Sequence, residues 1–442
     1  TSVRLGVLLP MFGVQASGFL RFNRTQFTAV YQALREINNK NDGLEDWLLP
    51  TTRIDFAFRD SKCDLLQGMI GAQSLLSAAF QGNGVHAIIG AACPTATVPA
   101  AELAAQSKVP MLSPSVDSSM RFGGGRASRY FLRMVPPREM VMDIMAGILK
   151  NVLEYSHVAV VHDQTSADVQ PFSASAAAYE LTQLAYVKMT PVHEGTDVDE
   201  LISAGAVGVE AHHQDYSAQY NDLVDSGARI IVMLCEAHRA GPFMRGAFQF
   251  QPRLVGPGFL WFGSDSVTSE VLWTGDEALA KNMTLQQQVL QGFFGIQLRS
   301  GRESNPSRPM MTYGAYLSRR RQTSLTTQPS GGLCNAGTDD DSSTTPQSHL
   351  WAQRLQNDSM PLTCAGDHPE SRNLHEAFAY DAVYAIAFAV HDLVEVQKRS
   401  SLETAELLNV LLNVVDFEGV SGLVRFHHGN SSVLGRANRT FG

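Results

Sequence analysis

The side chains best equipped for chemistry in this chain are its histidines and cysteines. His212-His213 and His427-His428 are adjacent doublets. Neighbours on a strand point to opposite faces, so neither doublet offers two nitrogens to one ion, and exposed loop histidines are the simpler reading. Cys235 would need a base and an electropositive niche to serve as a nucleophile. It stands instead in the apolar run Arg229–Glu236 (RIIVMLCE), which reads as a buried strand. No G-x-S-x-G, H-E-x-x-H or G-x-x-x-x-G-K-[ST] occurs, and no G-x-G-x-x-G follows a strand. The sequence therefore points to no enzyme, no metal centre and no cofactor.

The other cysteines are Cys63, Cys93, Cys334 and Cys364, and none forms a C-x-x-C pair. In an oxidising compartment two bridges and one leftover thiol are expected. Cys63 with Cys93 and Cys334 with Cys364 are the nearest neighbours, although spacing alone does not fix the pairing. Sequons stand at Asn23, Asn282, Asn357, Asn430 and Asn438. Chance composition gives about two, so the set fits a secreted, glycosylated surface.

Composition narrows the classes further. Of 442 residues, 44% are hydrophobic and 17% charged, against about 25% charged in an average globular protein. That excludes a disordered chain. The net charge of −9 argues against nucleic-acid binding. No stretch approaches the roughly 20 apolar residues of a membrane span; the longest run, Ala377–Val390, contains Asp381. A start at Thr1, without Met or a leader, reads as a processed or trimmed chain.

The elements that must position any site alternate between strand and helix. Val3–Pro10, Arg53–Asp60, His86–Gly90 and Val109–Ser113 read as strands. Between them lie a helix through Phe27, Val30, Tyr31, Leu34 and Ile37, then Leu65–Phe80 and Thr95–Ser107. The series resumes with the connecting strand Tyr130–Val135, a helix at Pro137–Leu153, strand His157–Asp163, helix Phe172–Tyr186 and helix Tyr216–Ser226. Strands Arg229–Glu236 and Phe259–Asp265 follow, with late helices at Glu376–Val396 and Leu402–Val415 and a strand at Leu423–Phe426. Two α/β lobes with doubly wound parallel sheets are predicted, and the default ligand site is the cleft between them. Residues 323–348, rich in Ser, Thr, Gly and Asp, read as a disordered or exposed loop, and Arg319-Arg320-Arg321 before it as a solvated helix end.

Eight short motifs then fall in one order. They are Gly6–Pro10 (GVLLP), Asp60–Asp64 (DSKCD), Ile88–Cys93 (IIGAAC), Pro110–Ser115 (PMLSPS), and Phe131-Leu132-Arg133 with Val135-Pro136. Ala228–Val232 (ARIIV), Ala379–Ala385 (AYDAVYA) and Phe417–Gly422 (FEGVSG) complete the set. Together they resemble the Venus-flytrap ligand-binding domain of class C G-protein-coupled receptors, the GABA-B branch above all. That domain shares the type I periplasmic binding protein fold with natriuretic-peptide receptors. The resemblance covers nearly the whole chain. It implies two doubly wound lobes joined by a three-stranded hinge: lobe one at 1–138 plus 296–412, lobe two at 139–295 plus 413–442. It also implies that Cys93 belongs to the lobe-one disulfide.

The resemblance carries a ligand site as well. Family ligands of the amino-acid type meet a hydroxyl and backbone N–H groups at the helix start after the Cys-containing turn, here Pro94 and Thr95. Ser113, Ser115 and Asp117 follow on the next strand end. Glu236, Asp265, Ser266 and Gln15 stand where aromatic contacts are found in the family. Either His375 or Glu376 falls where an acidic residue meets the ligand amine. The acidic set Asp117, Glu236, Asp265 and Glu376 implies a cationic ligand, a bound Ca²⁺, or a subunit with no small ligand. The implied function is the extracellular sensor of a membrane receptor, closing its lobes on an amino acid or amine. It would work as a homo- or heterodimer through lobe-one helices such as Leu65–Phe80 and Thr95–Ser107, with the membrane reached through a region beyond Gly442. The alternatives are the ectodomain of a single-span receptor of the guanylyl cyclase type and the soluble solute-binding protein of a transporter.

Overall fold

The computed structural model describes residues 2–10, 19–77, 84–117, 129–163, 168–189, 216–235, 237–264, 267, 279, 281–297, 301, 309–326, 375–427 and 434–436. The chain divides into two compact units, Thr1–Pro136 with Arg299–Gly442, and Pro137–Leu298. In the first, β1 (Ser2–Leu9) is followed by α1 (Phe19–Asn38), β2 (Arg53–Asp60), α2 (Leu65–Leu76), β3 (Ala87–Gly90), α3 (Pro94–Gln106), β4 (Met111–Ser113) and β5 (Phe131–Arg133). The strands are apolar on both faces because both faces are covered. Val3, Leu5, Val7 and Leu9 of β1 join the core under α1, while Leu8 joins the core under α2 and α3. Gly68 of α2 lets that helix close on Ala96 of α3, where an added Cβ would meet the Ala96 carbonyl at 2.7 Å.

The second unit repeats the plan. It holds α4 (Arg138–Gly147), β6 (His157–His162), α5 (Val169–Ala178), β7 (Thr182–Lys188), α6 (Ser217–Asp225), β8 (Ile230–Leu234), α7 (Ala237–Gln249), β9 (Leu260–Gly263), α8 (Met283–Val289) and β10 (Phe293–Gly295). The sheet runs β10-β9-β8-β6-β7, parallel throughout. Val158, Val160 and Val232 pack beneath α4 and α5; Ala159, Val161, Ile231 and Trp261 pack on the other face. The helix expected over 172–186 is a correction. It stops at Ala178, Glu180 turns at φ 55°, and Thr182–Lys188 is an edge strand. Its Thr, Tyr and Val favour the pleat over a helix.

The chain then returns to the first unit with α9 (Tyr313–Thr326), α10 (Glu376–His391), α11 (Thr404–Asn413), β11 (Asp416–Gly419), β12 (Gly422–His427) and β13 (Leu434–Arg436). Sheet order is β11-β12-β13-β5-β4-β3-β1-β2. The placement of 413–442 in lobe two is thereby corrected for β11, β12 and β13, which belong to the sheet of the first unit. β13 pairs in parallel with β5, and the β11–β12 hairpin extends the same sheet. A further lock explains why: Asp381 of α10 is fully buried and accepts from Val420 N at 2.9 Å, Ser421 N at 2.7 Å and the Ser421 hydroxyl. Residues 323–326 belong to α9, and the remainder of the 323–348 stretch lies outside the described residues. Helix Glu376–Val396 passes for a membrane span by length and composition, contrary to the sequence reading, yet 78% of its apolar window is buried inside the protein.

Candidate functional site

Open parallel sheets take ligands beyond the carboxyl ends of their strands, where successive connections leave to opposite faces. In the first unit that point lies between β1 and β3, because α1 covers one face and α3 the other. Backbone crowding there is severe. Gly90 sits at φ +129°, and a Cβ would stand 1.9 Å from the Leu8 carbonyl oxygen. The turn Ala91–Cys93 then opens α3. A disulfide joins Cys93 to Cys63 with Cα atoms 5.3 Å apart, tying the start of α3 to the loop before α2.

The hydroxyls around this turn bond its carbonyls and that of Cys63. Thr95 Oγ1 donates to Cys63 O at 2.8 Å, Thr97 Oγ1 to Cys93 O at 2.8 Å, Ser113 Oγ to Ala91 O at 2.8 Å, and Ser115 Oγ to Ala92 O at 3.1 Å. Ser113 also accepts from Val116 N at 3.2 Å and is fully buried. Thr95 is exposed, while Ser115 and Asp117 are half-buried. The Asp117 carbonyl accepts from Arg133, itself buried, at 3.1 Å. Pro94 occupies the first helical position and Thr97 N bonds Cys93 O at 3.0 Å, so the N–H groups of Thr95 and Ala96 open the helix. Thr95, Ser113 and Ser115 are thereby tied to backbone carbonyls around the opening of α3, Thr95 exposed and Ser113 buried, with Asp117 two residues beyond Ser115. The family resemblance pointed to Thr95, Ser113 and Ser115, but which way each hydroxyl turns was not legible.

Glu376 lies elsewhere, in a buried polar cluster. It pairs with Arg320 at 2.5 Å and accepts from the Tyr313 hydroxyl at 2.9 Å. Burial pushes its carboxyl up to about 7, against the pull of Arg320 and Tyr313. Alongside, Arg319 pairs with Glu36 at 2.9 Å and donates to Tyr380 at 3.1 Å, and the Tyr380 hydroxyl also donates to Glu36. Burial holds the Tyr380 phenol protonated far above its usual range. Arg319 and Arg320 are thus core ion-pair residues. The solvated helix end read from the triple arginine is corrected for these two, because the buried carboxylates of α1 and α10 draw them in.

In the second unit the corresponding switch point lies between β6 and β8, ending in His162-Asp163 and Leu234-Cys235. Sequence reasoning missed a trio here. Asp168 at the start of α5 is buried, pairs with Arg138 at 2.6 Å and accepts from Ser264 Oγ at 3.3 Å. No short motif marks these residues, which are 30 and 96 positions apart in sequence. Cys235 is buried in the core of this unit. Trp261 is core as well, its indole donating to Leu254 O at 2.8 Å. Gln15, Glu236, Asp265, Ser266, Cys334, Cys364, Asn357, Asn430 and Asn438 lie outside the described residues, and the Asn23 side chain does too. Asn282 is exposed and caps α8, accepting from Leu285 N at 3.0 Å. Among the described residues no group of three or more His, Cys, Asp or Glu side chains could hold a metal ion.

With this geometry in place, the comparisons with known proteins are specific about fold. The model of the receptor family ligand binding region matches residues 25–435. No curated protein matches the chain. Among solved structures, the chain is similar to the branched-chain amino acid transporter substrate-binding protein LivJ from Streptococcus pneumoniae, in complex with isoleucine. Identity is 16%, the TM-score 0.57, and 99% of this chain and 94% of that one are covered. A putative branched-chain amino acid ABC transporter from Rhodospirillum rubrum gives 15% identity and a TM-score of 0.58 over 99% and 96%. The leucine-binding protein LivK from Thermotoga maritima gives 14% and 0.54 over 96% and 91%.

Proposed function

Because the chain belongs to the receptor family ligand binding region, we propose that it captures a small amino-acid-like or amine ligand on the carboxyl-end rim of its first unit. The observation that supports this reading is the opening of α3 at the β1/β3 switch point, where Thr95 bonds the Cys63 carbonyl and Ser115 the Ala92 carbonyl. Ser115 can turn its hydroxyl from Ala92 O to a ligand at small cost, and the Thr95 and Ala96 N–H groups favour an anionic group nearby. In the finer form of the proposal the module is the ectodomain of a class C receptor on the outer face of the plasma membrane. It would dimerise through α2, whose Leu65, Leu66 and Ile70 are exposed. A second reading is a soluble solute-binding protein, favoured by the likeness to amino-acid carriers, one of them holding isoleucine.

Thermal unfolding across isoleucine, leucine, GABA, spermidine and Ca²⁺ tests the proposal. A ligand at 100 times its Kd adds about 2.7 kcal/mol to the folded state. Ser115→Ala and Thr95→Ala are expected to weaken the responding ligand about tenfold each, about 1.4 kcal/mol. A saturable shift unaffected by both substitutions moves the site away from this rim. No shift from any compound overturns the small-ligand reading.

A further inference from the structure

The loop between α1 and β2 meets the far end of α10 at an imidazole. Leu49 N–H donates to His391 Nδ1 at 3.1 Å, across 342 residues of sequence. The Trp47 ring meets His391 edge-on at 5.1 Å and Phe388 at 5.8 Å. Thr51 Oγ1 adds a bond to Glu395 at 2.9 Å. Two non-glycine residues of the loop, Glu45 at φ 56° and Leu49 at φ 53°, occupy the left-handed region. Such conformations persist where surrounding contacts impose them.

Only a neutral imidazole can accept at Nδ1; an imidazolium has a donor on both nitrogens. We propose that His391 is a proton-operated latch: the neutral ring docks Trp47 and Leu49, and protonation sets N–H against N–H and releases that end of the loop. The charges facing the ring are Asp392 and Glu395 on its own helix, Lys398 beyond it, and Lys40 from the loop. Glu45 is engaged with the Trp47 indole N–H at 2.6 Å, and Glu36 of α1 with Arg319. Burial lowers the affinity of His391 for its proton below the ordinary value of 6.5, with Lys398 and Lys40 adding to it and Glu395 and Asp392 opposing. The latch is therefore closed at neutral pH and opens on acidification. Leu44, Leu48 and Leu49 are buried, which confines the opening to local undocking.

Trp47 supplies the readout. Fluorescence of the full chain is titrated between pH 8 and 5, with Trp47→Phe subtracting the other three tryptophans, Trp261, Trp273 and Trp351. The Trp47 signal is expected to change in one step with its midpoint below 6.5, since an adjacent imidazolium quenches indole emission and undocking frees the half-exposed ring from His391 and Phe388. Protection of the Leu49 amide against hydrogen exchange, corrected for intrinsic rate, is expected to fall about tenfold over the same range. His391→Asn keeps an acceptor near the Nδ1 position but cannot titrate, so both transitions should vanish. A transition that persists in His391→Asn overturns the proposal. So does constant Leu49 protection in the unsubstituted chain, a measurement that needs no variant to fold.

Discussion

Asp381 and Gly90 are single residues on which this fold depends. Asp381 accepts three hydrogen bonds from the Val420-Ser421 turn and is fully buried. Removing it leaves buried N–H groups without partners, each costing about 1–3 kcal/mol. Asp381→Ala is expected to destabilise the first unit by about 3 kcal/mol in urea unfolding, at the upper end of ordinary substitutions. Gly419 belongs to the same lock, because a Cβ there would stand 2.4 Å from the Asp381 carboxylate. Two motifs noticed separately in the sequence, AYDA and FEGVSG, are therefore the halves of one contact. At Gly90, alanine would need both a left-handed backbone and a displaced Leu8 carbonyl. Gly90→Ala is expected to cost at least about 2 kcal/mol, read as a lower urea midpoint with an unchanged slope.

At the scale of elements, α9 and the disulfide decide how the first unit is held together. The Cys63–Cys93 bridge closes a 30-residue separation. Loop-closure entropy assigns such a bridge about 3–4 kcal/mol, which the Cys63→Ser, Cys93→Ser double variant is expected to lose. α9 is attached through Arg319 and Arg320 to Glu36 and Glu376. Glu376 titrates near 7 when folded, against an ordinary 4.5. The folded chain thus binds this proton at a pH where the unfolded chain has released it. Its contribution improves as pH falls from 7 to 4.5 and is a constant penalty above 7. Glu376→Gln should flatten that part of the stability profile; an unchanged slope would assign the proton elsewhere. Sequence reasoning saw a basic run at a helix end but could not see two carboxylates waiting on other helices. It likewise ran α5 on into β7, since TQLAYVK is too short for periodicity to separate edge strand from helix.

At the scale of the molecule, the four apolar clusters formed by the described residues respect the division of the chain. The two of the second unit draw only on residues between Val141 and Ile296. The two of the first draw only on residues up to Val135 and from Met311 onward. A segment with complete cores of its own is a folding unit. Residues 137–298 expressed alone are expected to unfold in one cooperative transition by circular dichroism. A broad, non-cooperative loss of signal would show that those cores need the rest of the chain.

The sequence by itself determined the α/β class, the doubly wound order and most strand and helix positions. Those properties follow from local periodicity, with apolar runs for strands buried on both faces and a 3.6-residue period for helices. Thr95, Ser113, Ser115 and Asp117 came into view through the family resemblance, which implies ligand contacts at the helix start after the Cys-containing turn and at the next strand end. Tertiary structure alone decided that β11, β12 and β13 complete the first sheet, that Arg319, Arg320 and Glu376 are core ion pairs, that Arg138, Asp168 and Ser264 converge, and that His391 meets Leu49. Each of these rests on partners tens to hundreds of residues apart. Their meeting is set by sheet order and helix packing, which no spacing along the chain encodes.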